Sequence, residues 1–180
     1  MSKIVIQDVS EIESLRSRIS EAAEHTARAL AQLPTAGLSG IEILRQMKFT
    51  KMAWHPIVKE RPLNLVEQIN QTWTILVTLN ALPFLFDRHK DAGGFRLSLG
   101  AMAGTDIESV VPGLVAAETF AAVHPLNNRK LTKDMEKLAR TCPLAKARYV
   151  FFGAPGFKHE RQVKLEAGRA EGIEVWAIEI

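Results

Sequence analysis

A single cysteine, Cys142, stands in a chain of 180 residues, so an internal disulfide is excluded and a reducing cytoplasm is the expected compartment. Long apolar runs are missing too. The longest, WTILVTLNALPFLF, falls short of the ~18 residues of a membrane span and contains Asn80 and Pro83. The opening MSKIVIQDVS lacks the apolar core of a secretory leader, which points the same way. No two histidines sit at metal-ligand spacing, and GAPGF lacks the Gly-Lys-Ser/Thr of a phosphate loop. There is no repeat, no low-complexity tract and no linker long enough to separate domains. What is present is an ordinary soluble composition, 47% hydrophobic and 24% charged, with length for one sizeable domain.

The net charge of +3 is modest but unevenly spread. From His124 to Gly172 eleven Lys or Arg stand against five Asp or Glu, whereas the first 123 residues hold twelve basic and thirteen acidic side chains. A basic C-terminal third suits a phosphate-bearing partner, and it equally suits solvated helix surfaces.

Ser10 to Ala31 reads as an amphipathic helix, with Ser10 and Glu13 at capping-box spacing and Ile12, Leu15, Ile19, Ala23 and Leu30 on one stripe. A short helix is expected at Ile41–Met47, followed by an irregular KFTKMAWHPIVKER. Pro62 suits the first position of a long helix whose apolar face is Leu65, Val66, Ile69, Trp73, Leu76 and Leu79. Glu67 and Gln71 lie one turn apart on its polar face, and Pro83 interrupts the pattern near its end. Strands are expected at Phe95–Ala101, Thr105–Val111 and Leu114–Val123, then a helix from about Asn128 to Arg140 with Leu131, Met135 and Leu138 in register. KARYVFFGA is a fourth strand, His159–Arg169 a weak helix, and IEVWAIEI a closing buried strand. The class is therefore α/β, with a mixed sheet of about five strands flanked by helices.

Two acids stand out in that pattern. Val111-Pro112-Gly113 suits a hairpin turn, and a turn centred on Pro112 pairs residues whose numbers sum to 224. Asp106 then faces Glu118, with Cβ atoms about 5 Å apart. Like charges so placed are destabilising unless a cation lies between them or one carboxyl takes a proton. A hard divalent ion such as Mg2+ would resolve the conflict; solvent-facing acids, with Glu108 on the same face as Asp106, are the plain alternative.

The element order from Pro62 onward, together with GTDIE and AAETF, resembles the restriction-endonuclease-like, PD-(D/E)XK nuclease superfamily over about two-thirds of the chain. The resemblance implies an αβββαβ core at residues 62–180, with residues 1–61 as an N-terminal helical extension packed on it. It implies Asp106 and Glu118 as catalytic ligands of Mg2+ (or Mn2+), joined by Glu67 from the first core helix in NLVEQINQ. The family's lysine position is Phe120 here, and Lys130 in NNRKL, with Lys133 next, is the lysine expected to replace it. Arg129, Lys133, Asn128 and Gln71 are the expected DNA contacts, with Asn127 or Asn128 capping the helix. The implied activity is metal-dependent hydrolysis of DNA phosphodiester bonds, in a restriction- or repair-type endonuclease that is plausible as a two-fold homodimer. The alternative is a non-catalytic nuclease-fold protein that binds nucleic acid or a protein partner.

The remaining features read as structural. His55 and His159 are expected at the surface, while His124 closely follows the third strand. Cys142, just before Pro143, reads as a helix-end packing residue rather than a nucleophile. Trp73 and Trp176 fall in apolar patterns, which leaves Trp54, beside Lys51 and His55, as the aromatic suited to a base.

Overall fold

Three-residue strands carry almost no periodicity, and the first element of the chain is one of them. The computed structural model describes residues 3–33, 36–59, 61–99 and 104–180. They form two compact units, residues 13–72 and residues 1–12 with 73–180. The fold is α/β, with a mixed sheet of seven strands.

That sheet belongs to the larger unit. Its strands are β1 (Ile4–Ile6), β4 (Phe95–Leu97), β5 (Ile107–Ser109), β6 (Val115–Ala121), β7 (Ala147–Gly153), β8 (Glu160–Arg161) and β9 (Ile173–Ala177). Across the sheet they run β1-β4-β5-β6-β7-β9-β8. The pairs from β1 to β6 are antiparallel, β6, β7 and β9 are parallel, and β8 returns antiparallel. The five strands expected from sequence are the inner five; the two further ones, β1 and β8, sit at the edges. Close approach fixes β1: a Cβ on Gly94, whose φ is +99°, would lie 2.6 Å from the Ile6 carbonyl oxygen, so only glycine lets the two strands meet. Of the expected strand Phe95–Ala101, the part at Gly100 and Ala101 lies outside the described residues.

A helix covers each face. Residues 73–88 of α3 (Leu65–Arg88) lie on the face of Thr119, Tyr149 and Phe151: Thr78 and Thr119 share a hydroxyl hydrogen bond of 2.7 Å, and Phe84 packs edge-on against Tyr149 and Phe151. Pro83 does not end α3, which continues to Arg88. On the other face α4 (Lys130–Thr141) sets Leu131, Met135 and Leu138 against Ala116, Phe120, Val150 and Phe152. Each large side chain so buried contributes about 1.5–3 kcal/mol. Phe120 thus belongs to the core beneath α4, stacked on Phe152 at 5.9 Å, where an unpaired lysine would strand its charge. The helix expected over His159–Arg169 shrinks to α5 (Val163–Glu166), because Glu160–Arg161 instead pair with β9.

The smaller unit contains most of α1 (Ile12–Ala31), α2 (Gly40–Phe49), the hairpin of β2 (Ala53–Trp54) and β3 (Pro62–Leu63), and the opening turns of α3. Leu15, Ile19 and Ala22 are the buried stripe of α1. Two sequence expectations change here. The capping box before α1 is Asp8 with Glu11, not Ser10 with Glu13, since Asp8 accepts from the Ser10 amide and Glu11 accepts from the Gln7 and Asp8 amides. Pro62 pairs with Trp54 in the hairpin, and α3 starts after Asn64, whose side chain accepts from the Glu67 amide while Glu67 accepts from the Asn64 amide.

His55 is buried in this unit, not at the surface, because its Nδ1 accepts the amides of Ile57 and Val58 and ties the loop together. Burial, and then the Arg61 charge, push its imidazole down to about 4 from 6.5. Between these values the unfolded chain holds a proton that the folded chain refuses, so the stability that neutral His55 contributes is full above pH 6.5 and is lost as pH falls toward 4. The expected loss over that window is about 3 kcal/mol. Urea unfolding of wild type and of His55→Asn, which keeps an acceptor without the titration, at pH 7 and pH 4 checks it. Between the two pH values wild type should lose about 3 kcal/mol more than the variant, the opposing titration of Glu118 being common to both.

Candidate active site

The β5–β6 ladder pairs Ile107 with Ala117 and Glu108 with Ala116, the register that the Pro112-centred turn implies. One step further, Asp106 leaves the ladder and turns its carboxylate onto β6. Its Oδ2 accepts the Thr119 amide at 2.8 Å and the Thr119 hydroxyl at 3.2 Å, so the acid is anchored beside Glu118. Alternation along β6 puts Ala116, Glu118 and Phe120 on the face covered by α4, which buries Glu118 to 2% exposure.

Helix α4 answers that buried charge with residues set one position ahead of its apolar stripe. Lys137 Nζ donates to Glu118 Oε2 at 2.8 Å, and Lys130 Nζ donates to Asp134 Oδ1 at 2.5 Å, with Asp134 itself buried. Lys130 also stands 5.9 Å from the Phe120 ring centroid. Among the described residues three carboxylates, Asp106, Glu118 and Asp134, therefore face two ammonium groups, which leaves one formal negative charge over. All three carboxyls are pushed upward, chiefly by burial. Glu118 rises to about 7, through burial and then the charge of Asp106, with Lys137 pulling the other way. Two carboxylate oxygens, Glu118 Oε1 and Asp134 Oδ2, are buried with no hydrogen-bond partner among the described residues.

The sequence-derived set divides. Asp106, Glu118 and Lys130 belong to this cluster. Arg129, Asn128 and Lys133 are exposed at the start of α4. Neither Asn127 nor Asn128 caps that helix: the capping position is Arg129, left-handed at φ 56° and without a side-chain cap, next to a left-handed Asn128 at φ 54°. Glu67 and Gln71 belong to the smaller unit, where Glu67 binds Lys51 at 2.7 Å, which with the Asn64 amide lowers its carboxyl. Trp54 stacks on His25 there, with ring centroids 3.6 Å apart.

Lys137 and Asp134 are the site residues that sequence reasoning missed. Their signal is the series Lys130, Asp134, Lys137, which repeats the i, i+4, i+7 spacing of Leu131, Met135 and Leu138 one residue earlier.

Unpartnered buried carboxylate oxygens beside an uncompensated charge are the donor chemistry a hard cation requires. Among the described residues no three Asp, Glu, His or Cys side chains converge into one cage, so such an ion would rest on two carboxylates and water. Among the described residues, no helix is long and apolar enough to cross a membrane. No family model, no curated protein and no solved structure matches the chain.

Proposed function

We propose that the chain is a divalent-metal-dependent nuclease that hydrolyses DNA phosphodiester bonds. The observation that carries this reading is the uncompensated charge of the Asp106–Glu118–Asp134 cluster, with Glu118 Oε1 buried and without a partner among the described residues while Lys137 holds Oε2. A chain that only bound a partner would gain nothing from that repulsion, which costs stability at neutral pH. The order α3-β4-β5-β6-α4-β7 is also compatible with the αβββαβ core of the nuclease superfamily that the sequence resembles.

In this reading Asp106 and Glu118 would hold Mg2+ or Mn2+, which when bound would supply charge neutralisation and a lowered pKa of bound water. Thr119, through its amide and hydroxyl, fixes the Asp106 carboxylate, and Lys137 orients the Glu118 carboxylate through Oε2, leaving the buried Oε1 without a partner among the described residues. Lys130 and Lys137 set positive charge beside the acids for the phosphate oxygens. Arg129, Lys133 and Asn128, exposed where α4 begins, are suited to backbone phosphates rather than base edges. The non-catalytic alternative rests on Phe120; with Lys137 bonded to Glu118, the cluster has a lysine without one at that position.

Plasmid cleavage tests the reading. Wild type is expected to cut in Mg2+ or Mn2+ and to stop in chelator, Glu118→Ala to be inactive, and Lys130→Ala to be slowed about tenfold or more. Cleavage that survives Glu118→Ala removes the assignment. Folded protein that binds DNA with a steep salt dependence but never cuts leaves the binder instead.

A further inference from the structure

The sheet face that carries Glu118 continues toward the β5–β6 hairpin. There Arg96, Glu108 and Ala116 form one cross-strand row, two residues along from Glu118, or about 7 Å. The loop that follows α4 closes over this row and leaves a pocket of about 330 Å3 lined by Arg96, Glu108, Ala116, Cys142, Pro143 and Leu144, with the hairpin turn beside them. The methyl group of Ala116 is what leaves the room.

The lining has a definite chemistry. Glu108 is already engaged, accepting from Lys3 at 2.7 Å and from the Thr105 hydroxyl at 2.6 Å. Among the described residues Arg96 gives one hydrogen bond, to the Ser109 carbonyl at 3.3 Å, which leaves most of its guanidinium donors for a ligand. Pro143 and Leu144 form an apolar wall, and Leu144 shows 90% of its surface to solvent, an unusual display for a large apolar side chain. A pocket at the small end of ligand-site volumes, with an apolar wall and a fork of donors, fits one planar heterocycle and not a base pair.

We propose that this pocket is a subsite for one unstacked base of the DNA strand whose phosphate lies at the acids. The proposal rests on the nuclease reading and narrows it. The preferred substrate carries an unpaired nucleotide, whose base lies against Leu144 and Pro143 while Arg96 stacks on it or donates to its edge. A fully stacked duplex offers no such base and must first be opened.

Fluorescence anisotropy in chelator, at one fixed salt concentration, tests this with two strands of equal length, one of normal deoxynucleotides and one of abasic deoxyribose-phosphate units. Wild type is expected to bind the base-bearing strand about tenfold more tightly, within the range that one stacked base contributes. Arg96→Ala and Leu144→Asp should bind both strands alike, and Leu144→Asp, at a solvent-facing position, should keep the wild-type melting temperature. Equal wild-type affinities, or a preference that survives in both variants, overturns the subsite. Metal-dependent cleavage that persists alongside equal affinities overturns the subsite alone. If neither strand binds and no DNA is cut, the nuclease reading falls with it.

Discussion

Glu118→Gln is expected to make the metal-free protein more stable, by about 3 kcal/mol at pH 8, and, on the proposed nuclease function, to abolish DNA cleavage. In the folded chain the Glu118 carboxyl is pushed up to about 7, against 4.5 for an ordinary glutamate. Between those values the folded protein holds a proton that the unfolded chain has lost. Stability therefore falls as pH rises through the window, and the full cost is in place above pH 7. Glutamine keeps the shape and has no charge to bury. Its advantage should shrink on acidification and vanish below pH 4.5. Urea unfolding in chelator at pH 8 and pH 4.5 measures both ends. A variant less stable than wild type at pH 8 would mean that Lys137 already compensates the carboxylate.

Lys137→Ala is expected to act in the opposite sense on stability and in the same sense on activity. It strips the buried Glu118 of the cation 2.8 Å away, and removing one partner of a buried pair costs about 3–5 kcal/mol. Lys137 keeps 33% of its side chain exposed, so the lower end applies. The cost should appear at pH 8 and fade toward pH 4.5, where Glu118 holds a proton. Cleavage should fall roughly 100-fold, the effect of losing one preorganised donor to developing charge. Lys137→Arg should restore stability and part of the activity. Full activity in Lys137→Ala would leave Lys130 as the lysine that matters.

The features of this arrangement legible in the sequence are those governed by local rules. Val111-Pro112-Gly113 fixes a turn, a turn fixes register, and the register that sets Asp106 beside Glu118 is the one observed at Ile107–Ala117 and Glu108–Ala116. The inner strands and α4 carry enough apolar residues in period to be read directly. Short edge strands do not: Ile4–Ile6 and Glu160–Arg161 form only because a neighbouring edge is free, which no local pattern records. His55 escapes the sequence for a related reason, since its burial follows from accepting two loop amides.

The lysine is the harder case. Charged residues on a helix default to solvent, so Asp134 and Lys137 look like surface until the strand beneath α4 is known to carry Glu118. Phe120 has the same explanation from the other side. It packs in the core with Leu131 and Met135, and the ammonium groups beside the acids come from the helix above, from Lys130 and Lys137.

The most direct measurement is the melting temperature in chelator and in excess Mg2+ or Mn2+ at pH 8, for wild type and Glu118→Gln. An ion that binds only the folded state stabilises by about 3 kcal/mol at a hundred times its dissociation constant, so wild type should gain on the order of 5–10 °C and the variant none. An unchanged wild-type melting temperature at saturating metal, or an equal rise in Glu118→Gln, would contradict a cation site at these acids.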